Sequence, residues 1–169
     1  MTTELQSSSL FGLTPPDVLA SMSGLDFLRS MFSGELPHAT MMQQVGFTRG
    51  SADPGFVVFQ AIPGPQHYNP IGSVHGGFAA TLLDSAMGCA VQSMLPKGQG
   101  YTTLEFKITL IKAITSDTGE VRAEGRALNV GRRVGTAEGR LLDGQGRLLA
   151  HGTTTCLVLE LPKAGPRGT

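Results

Sequence analysis

The sequence predicts an α+β domain in which an antiparallel sheet curls around one long apolar helix. Residues 73–96, SVHGGFAATLLDSAMGCAVQSMLP, stay apolar or small, with a single formal charge at Asp84; after His75-Gly76-Gly77 the run lasts about five turns of helix. Downstream the period changes to two. Leu104, Phe106, Ile108 and Leu110 alternate with Thr103, Glu105, Lys107 and Thr109, and Val121, Ala123 and Ala127 alternate with charged residues. One buried face and one wet face is antiparallel behaviour. The length of 169 residues suits one domain with a sizeable core.

Taken in order, residues 1–14 are polar without a periodic pattern and are expected to fray. Pro15-Pro16-Asp17 reads as a helix start with Asp17 as its cap. Val18, Met22, Leu25, Leu28 and Phe32 then recur at helical spacing as far as Ser33-Gly34. This reads as one amphipathic helix lying across the rest. From Met41 the period shortens, and residues 44–48 and 55–62 read as two strands joined through the turn-rich 51–55. A proline- and glycine-bearing loop over 63–73 delivers the chain to His75-Gly76-Gly77.

On the central helix Phe78, Leu82, Ala86 and Cys89 recur at helical spacing, while Ala79, Leu83, Ala90 and Met94 fill the neighbouring face. Burial around most of its circumference is expected. After Pro96-Lys97-Gly98, strands are expected over 102–111, 120–128, 134–142 and 147–159. The last two are joined by Asp143-Gly144-Gln145-Gly146, a hairpin signal. The chain divides into an N-terminal extension (1–40), a folded domain (41–160) and a disordered tail (161–169), with no internal repeat.

Composition excludes several classes. Lys plus Arg and Asp plus Glu both total 13, so the net charge is zero and no nucleic-acid partner is expected. Charged residues are 15%, low for a soluble protein, which points to burial against copies of the same chain. Cys89 and Cys156 lie far apart without zinc-ligand spacing and read as reduced thiols of a cytoplasmic protein. No basic region followed by an apolar run opens the chain, so no signal peptide is read. The central run, with Asp84 inside it and Pro96 closing it, is a poor membrane span. No glycine-rich phosphate loop with a following lysine appears, which argues against nucleoside triphosphate hydrolysis.

Asp84 is the first functional candidate, because an ionised carboxylate within a core must be paired, hydrogen-bonded or neutralised. It can act as general base toward water or attack an acyl carbon directly. Gly76 and Gly77 open the helix, where amides without intrahelical partners and the helix dipole favour a developing oxyanion. The missing side chains let a substrate reach that backbone. Asp84 lies eight residues beyond Gly76, roughly 12 Å along the axis, too far for both to touch one carbonyl. An antiparallel partner helix would bring Asp84 of one subunit to Gly76 of the other, twice per twofold dimer. Asn69 can donate its amide to a carbonyl or orient a water, or simply form a turn before Pro70. His75 is read mainly as structural. Arg132 and Arg133, after Asn129-Val130-Gly131, could clamp phosphates.

The block of Asn69, His75-Gly76-Gly77 and Asp84, followed by Thr102-Thr103 at a strand start, resembles the hotdog-fold acyl-CoA thioesterases of the PaaI type, over about residues 40–160. The resemblance implies hydrolysis of acyl-CoA or aryl-CoA thioesters, CoA being part of the substrate. It also implies a homodimer that usually pairs into a tetramer, no metal and no cofactor. Thr103, or Thr102, matches a position whose hydroxyl holds the attacking water, and the Arg132-Arg133 pair would hold CoA. Two alternatives stay open: an acyl-thioester dehydratase or hydratase pairing His75 with a partner's Asp84, and a non-enzymatic acyl-CoA-binding module.

Overall fold

A computed structural model describes residues 10–162. The frayed start expected over 1–9 and most of the expected tail, 163–169, lie outside the described residues. Residues 10–12 do not fray. Gly12 N–H donates to the His38 carbonyl and His38 N–H to the Leu10 carbonyl, both at 2.9 Å, and the Phe11 ring packs against the His38 ring at 5.8 Å.

The single amphipathic helix expected over 17–33 is two helices, α1 (Pro16–Ser21) and α2 (Gly24–Ser33). The break is local chemistry. Met22 turns extended (φ −114°, ψ 155°), and the Ser23 hydroxyl accepts from Asp26 N–H at 3.2 Å, starting a new helix. Asp17 is not the cap; α1 is entered from Pro15, and Asp17 lies inside the first turn. A further short helix, α3 (Thr40–Gln44), occupies the place where a strand was expected to begin. The first strand therefore starts later and runs further, β1 (Phe47–Asp53), and turns directly into β2 (Phe56–Ala61).

The central helix is α4 (Gly76–Gln92). It is followed by β3 (Gln99–Leu110), β4 (Val121–Val130), β5 (Val134–Leu142) and β6 (Leu148–Glu160). The strands form one six-stranded antiparallel sheet in the order β1-β2-β4-β5-β6-β3, the expected α+β architecture. α4 lies against β2, β3, β4, β5 and β6. Its bed is cut by small residues: a Cβ on Gly125 would lie 2.0 Å from the Ala86 carbonyl oxygen, so only glycine lets β4 approach the helix backbone. Leu82, Leu83, Met87 and Val91 of α4 are fully buried with Val57, Val121 and Leu141 of the sheet, each worth about 1.5–3 kcal/mol of apolar burial.

Two expectations about burial change. α4 is not covered all round: Gly77 is exposed and Thr81, Asp84, Ser85 and Cys89 are exposed or half-buried, an open stripe along one side. Along β3 the strict alternation fails. The pairing with β6 shifts register between Thr103 and Glu105, a bulge that re-aims the side chains beyond it. Leu104 (57%), Phe106 (44%) and Leu110 (56%) stand exposed; β3 is the last strand of the sheet, and no strand among the described residues lies beyond it. No helix among the described residues is long and apolar enough to cross a membrane.

Candidate active site

The residues singled out in the sequence fall into three places. Asp84 and Thr103 meet directly: the Thr103 hydroxyl donates to Asp84 Oδ1 at 2.9 Å, joining the middle of α4 to the start of β3. Tyr101, two residues earlier on the same strand face, brings its hydroxyl within 4.0 Å of Cys89 Sγ, about one helical turn beyond Asp84. Burial pushes the Cys89 thiol up to about 12, so it is no nucleophile at neutral pH.

Asn69, His75 and Gly76 form the second place, around a small cavity of about 240 Å³ that Leu110 and Lys112 also line. The N-cap of α4 is His75, whose Nδ1 accepts from Gly77 N–H at 2.9 Å. That bond occupies the Gly77 amide and fixes the ring tautomer with Nδ1 unprotonated. Gly76 lines the cavity, and a Cβ there would lie 2.8 Å from Leu110 Cδ1. The Asn69 side chain ties its own loop: Oδ1 accepts from Ile71 N–H (3.1 Å) and Ser73 N–H (3.3 Å), and Nδ2 donates to Ser73 Oγ (3.0 Å). These bonds give Asn69 the turn-forming half of its double reading, at the rim of the helix start.

Arg132 and Arg133 occupy the third place, the exposed turn between β4 and β5. Val134 pairs with Leu157, which pairs with Thr102, so this turn lies beside the beginning of β3. Gly76 packs near Leu110 at its other end. Within one chain the arginines and the helix start are thus apart, and Asp84 is separated from Gly76 by roughly 12 Å of helix.

Two contributors escaped the sequence reading. Lys112 lines the cavity beside Gly76; two residues past the end of β3, it shows no sequence signal. His67, to which nothing was assigned, braces the loop: Nδ1 accepts from Gly64 N–H (2.9 Å) and Nε2 donates to the Gln44 carbonyl (2.8 Å). His75 N–H donates to the His67 carbonyl at 2.7 Å, so the position of the helix start depends on this brace.

Known proteins share the sequence pattern and the fold of this chain. The family model for the thioesterase superfamily matches residues 71–150. A candidate esterase of Halobacterium salinarum is 39% identical over 69 residues, 40% of this chain; the match spans 44% of that curated relative's length. A candidate thioesterase of Ralstonia eutropha, related to phenylacetic acid degradation, superposes with a TM-score of 0.70 at 26% identity, covering 78% of this chain and 98% of that one. A Streptococcus mutans protein solved with acetyl-CoA bound shares the fold, with a TM-score of 0.60 at 24% identity over 70% of this chain and 90% of its own.

Proposed function

We propose, from the premise that the chain belongs to the thioesterase superfamily and is of the PaaI-type hotdog fold, that it hydrolyses acyl-CoA or aryl-CoA thioesters to free acid and CoA. The observation that carries this reading is the Thr103–Asp84 hydrogen bond on the open stripe of α4. With its proton given to the carboxylate, the Thr103 oxygen keeps lone pairs that can accept from a water. Asp84 takes the proton as that water attacks the thioester carbon, or attacks the carbon itself. The tetrahedral oxyanion is received by the Gly76 N–H at the start of α4, with Asn69 and Lys112 at the rim. Collapse expels the CoA thiolate, which takes up a proton; where Asp84 is the nucleophile, water then cleaves the resulting anhydride, freeing the acid and restoring the carboxylate. The reaction draws on these side chains and water.

A homodimer completes the site. The β3 edge is open and carries exposed Leu104, Phe106 and Leu110. Antiparallel apposition of two such edges would bring the partner's Asp84 to Gly76 and the partner's Arg132 and Arg133 to the same end, where guanidinium groups can hold CoA phosphates. Pairing of two dimers into a tetramer is part of this reading. Binding of acetyl-CoA by the Streptococcus mutans protein of the same fold is consistent with a CoA thioester as ligand.

The test is free-thiol release from phenylacetyl-, benzoyl-, short-chain and medium-chain acyl-CoA, with wild type and Asp84→Ala side by side. Asp84→Ala should lose about 10²–10⁴-fold in turnover while remaining folded by circular dichroism. Equal turnover in both proteins removes Asp84 from the chemistry. Hydration of an enoyl-CoA without thiol release would replace hydrolysis by the hydratase reaction, and binding without either would leave a binding module.

A further inference from the structure

A cavity of about 510 Å³ opens between the N-terminal helices and the open stripe of α4. Phe27, Met31, Met42 and Phe59 form one wall, and Ser85 and Cys89 of α4 the other. Ser85 follows Asp84 in sequence, and Cys89 touches Tyr101 beside Thr103. The cavity therefore begins within about one helical turn, roughly 5.4 Å, of the Asp84–Thr103 pair. Among the described residues none that lines it carries a formal charge. Its size falls within the range of small-molecule pockets, roughly 300–1,000 Å³, far more than an acetyl group needs.

The cavity is a built feature rather than a gap between loose segments. α2 is seated on the C-terminal end of α4 through Gly24, whose N–H donates to the Leu95 carbonyl at 3.0 Å. A Cβ at Gly24 would lie 1.8 Å from the Gln92 carbonyl oxygen. The segment before α2 is pinned by the Leu10–His38 and Gly12–His38 hydrogen bonds. Most of the apolar wall comes from residues 12–42, outside the 71–150 span matched by the family.

Resting on the thioester-hydrolase reading, we propose that this cavity is the acyl pocket, built largely by the N-terminal extension, and that it takes uncharged, flexible aliphatic chains. Methionine walls (Met31, Met42) adapt to a flexible chain, and each methylene withdrawn from water strengthens binding roughly fourfold. An acyl group ending in a carboxylate meets no partner charge there and is rejected.

The test uses S-alkyl-CoA thioethers, which cannot be hydrolysed, from methyl to decyl, with binding to the full chain measured by calorimetry. Affinity should rise about fourfold per methylene until the pocket is full and then level. A carboxyl-terminated thioether of equal length should bind at least about tenfold more weakly. Ser85→Phe, which fills the pocket, should remove the chain-length gain, and Phe27→Ala, which enlarges it, should move the plateau to longer chains. Equal methyl and decyl affinity in the wild type, or a folded Ser85→Phe that keeps the gain, overturns the proposal. If Ser85→Phe does not fold, an unmoved plateau in Phe27→Ala overturns it. Chain-length-dependent binding by a protein that releases no thiol would remove the hydrolase reading and leave the pocket. Hydrolysis without chain-length-dependent binding would do the reverse.

Discussion

The Thr103 hydroxyl and the Asp84 carboxylate meet at 2.9 Å, so the middle of the central helix is tied to the edge strand through one proton. Hydrogen bonds to charged groups are worth about 1.5–3 kcal/mol, a factor of roughly 10–100 if the bond is made in the transition state. Thr103→Val should therefore lower kcat by about that factor with KM little changed, and Thr103→Ser should restore most of it. Steady-state thiol release decides between this and a Thr103 that serves β3 alone, which would leave kcat unmoved.

Acid should loosen the N-terminal extension before it unfolds the sheet. His38 is 5% exposed within a cluster of Phe11, Phe32 and Phe47, and its Nδ1 has no hydrogen-bond partner among the described residues. Burial lowers its pKa from the ordinary 6.5. The unfolded chain then takes up a proton below about 6.5 that the folded chain refuses. The stability from a neutral His38 is full above that pH and is lost as pH falls toward the folded value. Thermal midpoints should fall between about pH 7 and about pH 5 in the wild type and stay flat in His38→Phe.

Asp143 contributes only in stronger acid. Burial alone would raise its carboxyl, but the Arg147 N–H and side chain and the Gln145 N–H hold it below its ordinary 3.8. Its share of stability is present above 3.8 and lost below it.

Cys89 should resist alkylation although it lines a cavity. With its pKa pushed up to about 12 by burial, only on the order of 10⁻⁵ of the thiol is ionised at neutral pH. Iodoacetamide should leave the native protein unlabelled at this position and label it once guanidinium has unfolded the chain, as read by peptide mass. Rapid stoichiometric labelling of the native protein would contradict so high a pKa.

The elements legible in the sequence are those whose pattern repeats over many residues. α4 and the strands β4 to β6 follow directly from runs of spaced apolar residues. The break between α1 and α2 was hidden because Met22 and Leu25 continue the helical spacing across Ser23, while capping is decided by one hydroxyl. α3 is a single short turn with no period to detect. In β3 the alternation was read correctly as strand but incorrectly as half-buried. The bulge after Thr103 and the position at the sheet edge are properties of pairing, which a single strand's sequence does not contain. At the site, Asp84 and Thr103 were both named, and their contact required the register of β3 against α4. His75 caps α4 by accepting from Gly77 N–H, a bond that the sequence does not display. Most of the residues lining the 510 Å³ cavity lie within 12–42, the segment least legible in the sequence.

The uncovered edge of β3 has a consequence for the chain as a single copy. Twelve residues of strand, with unpaired backbone groups on one side and exposed Leu104, Phe106 and Leu110, offer a template for indiscriminate strand addition. Glu105 and Lys107 are the charged residues on the strand itself. In the proposed dimer, capping this edge is then a matter of proteostasis: a chain whose β3 stays uncapped is a candidate for aggregation or degradation.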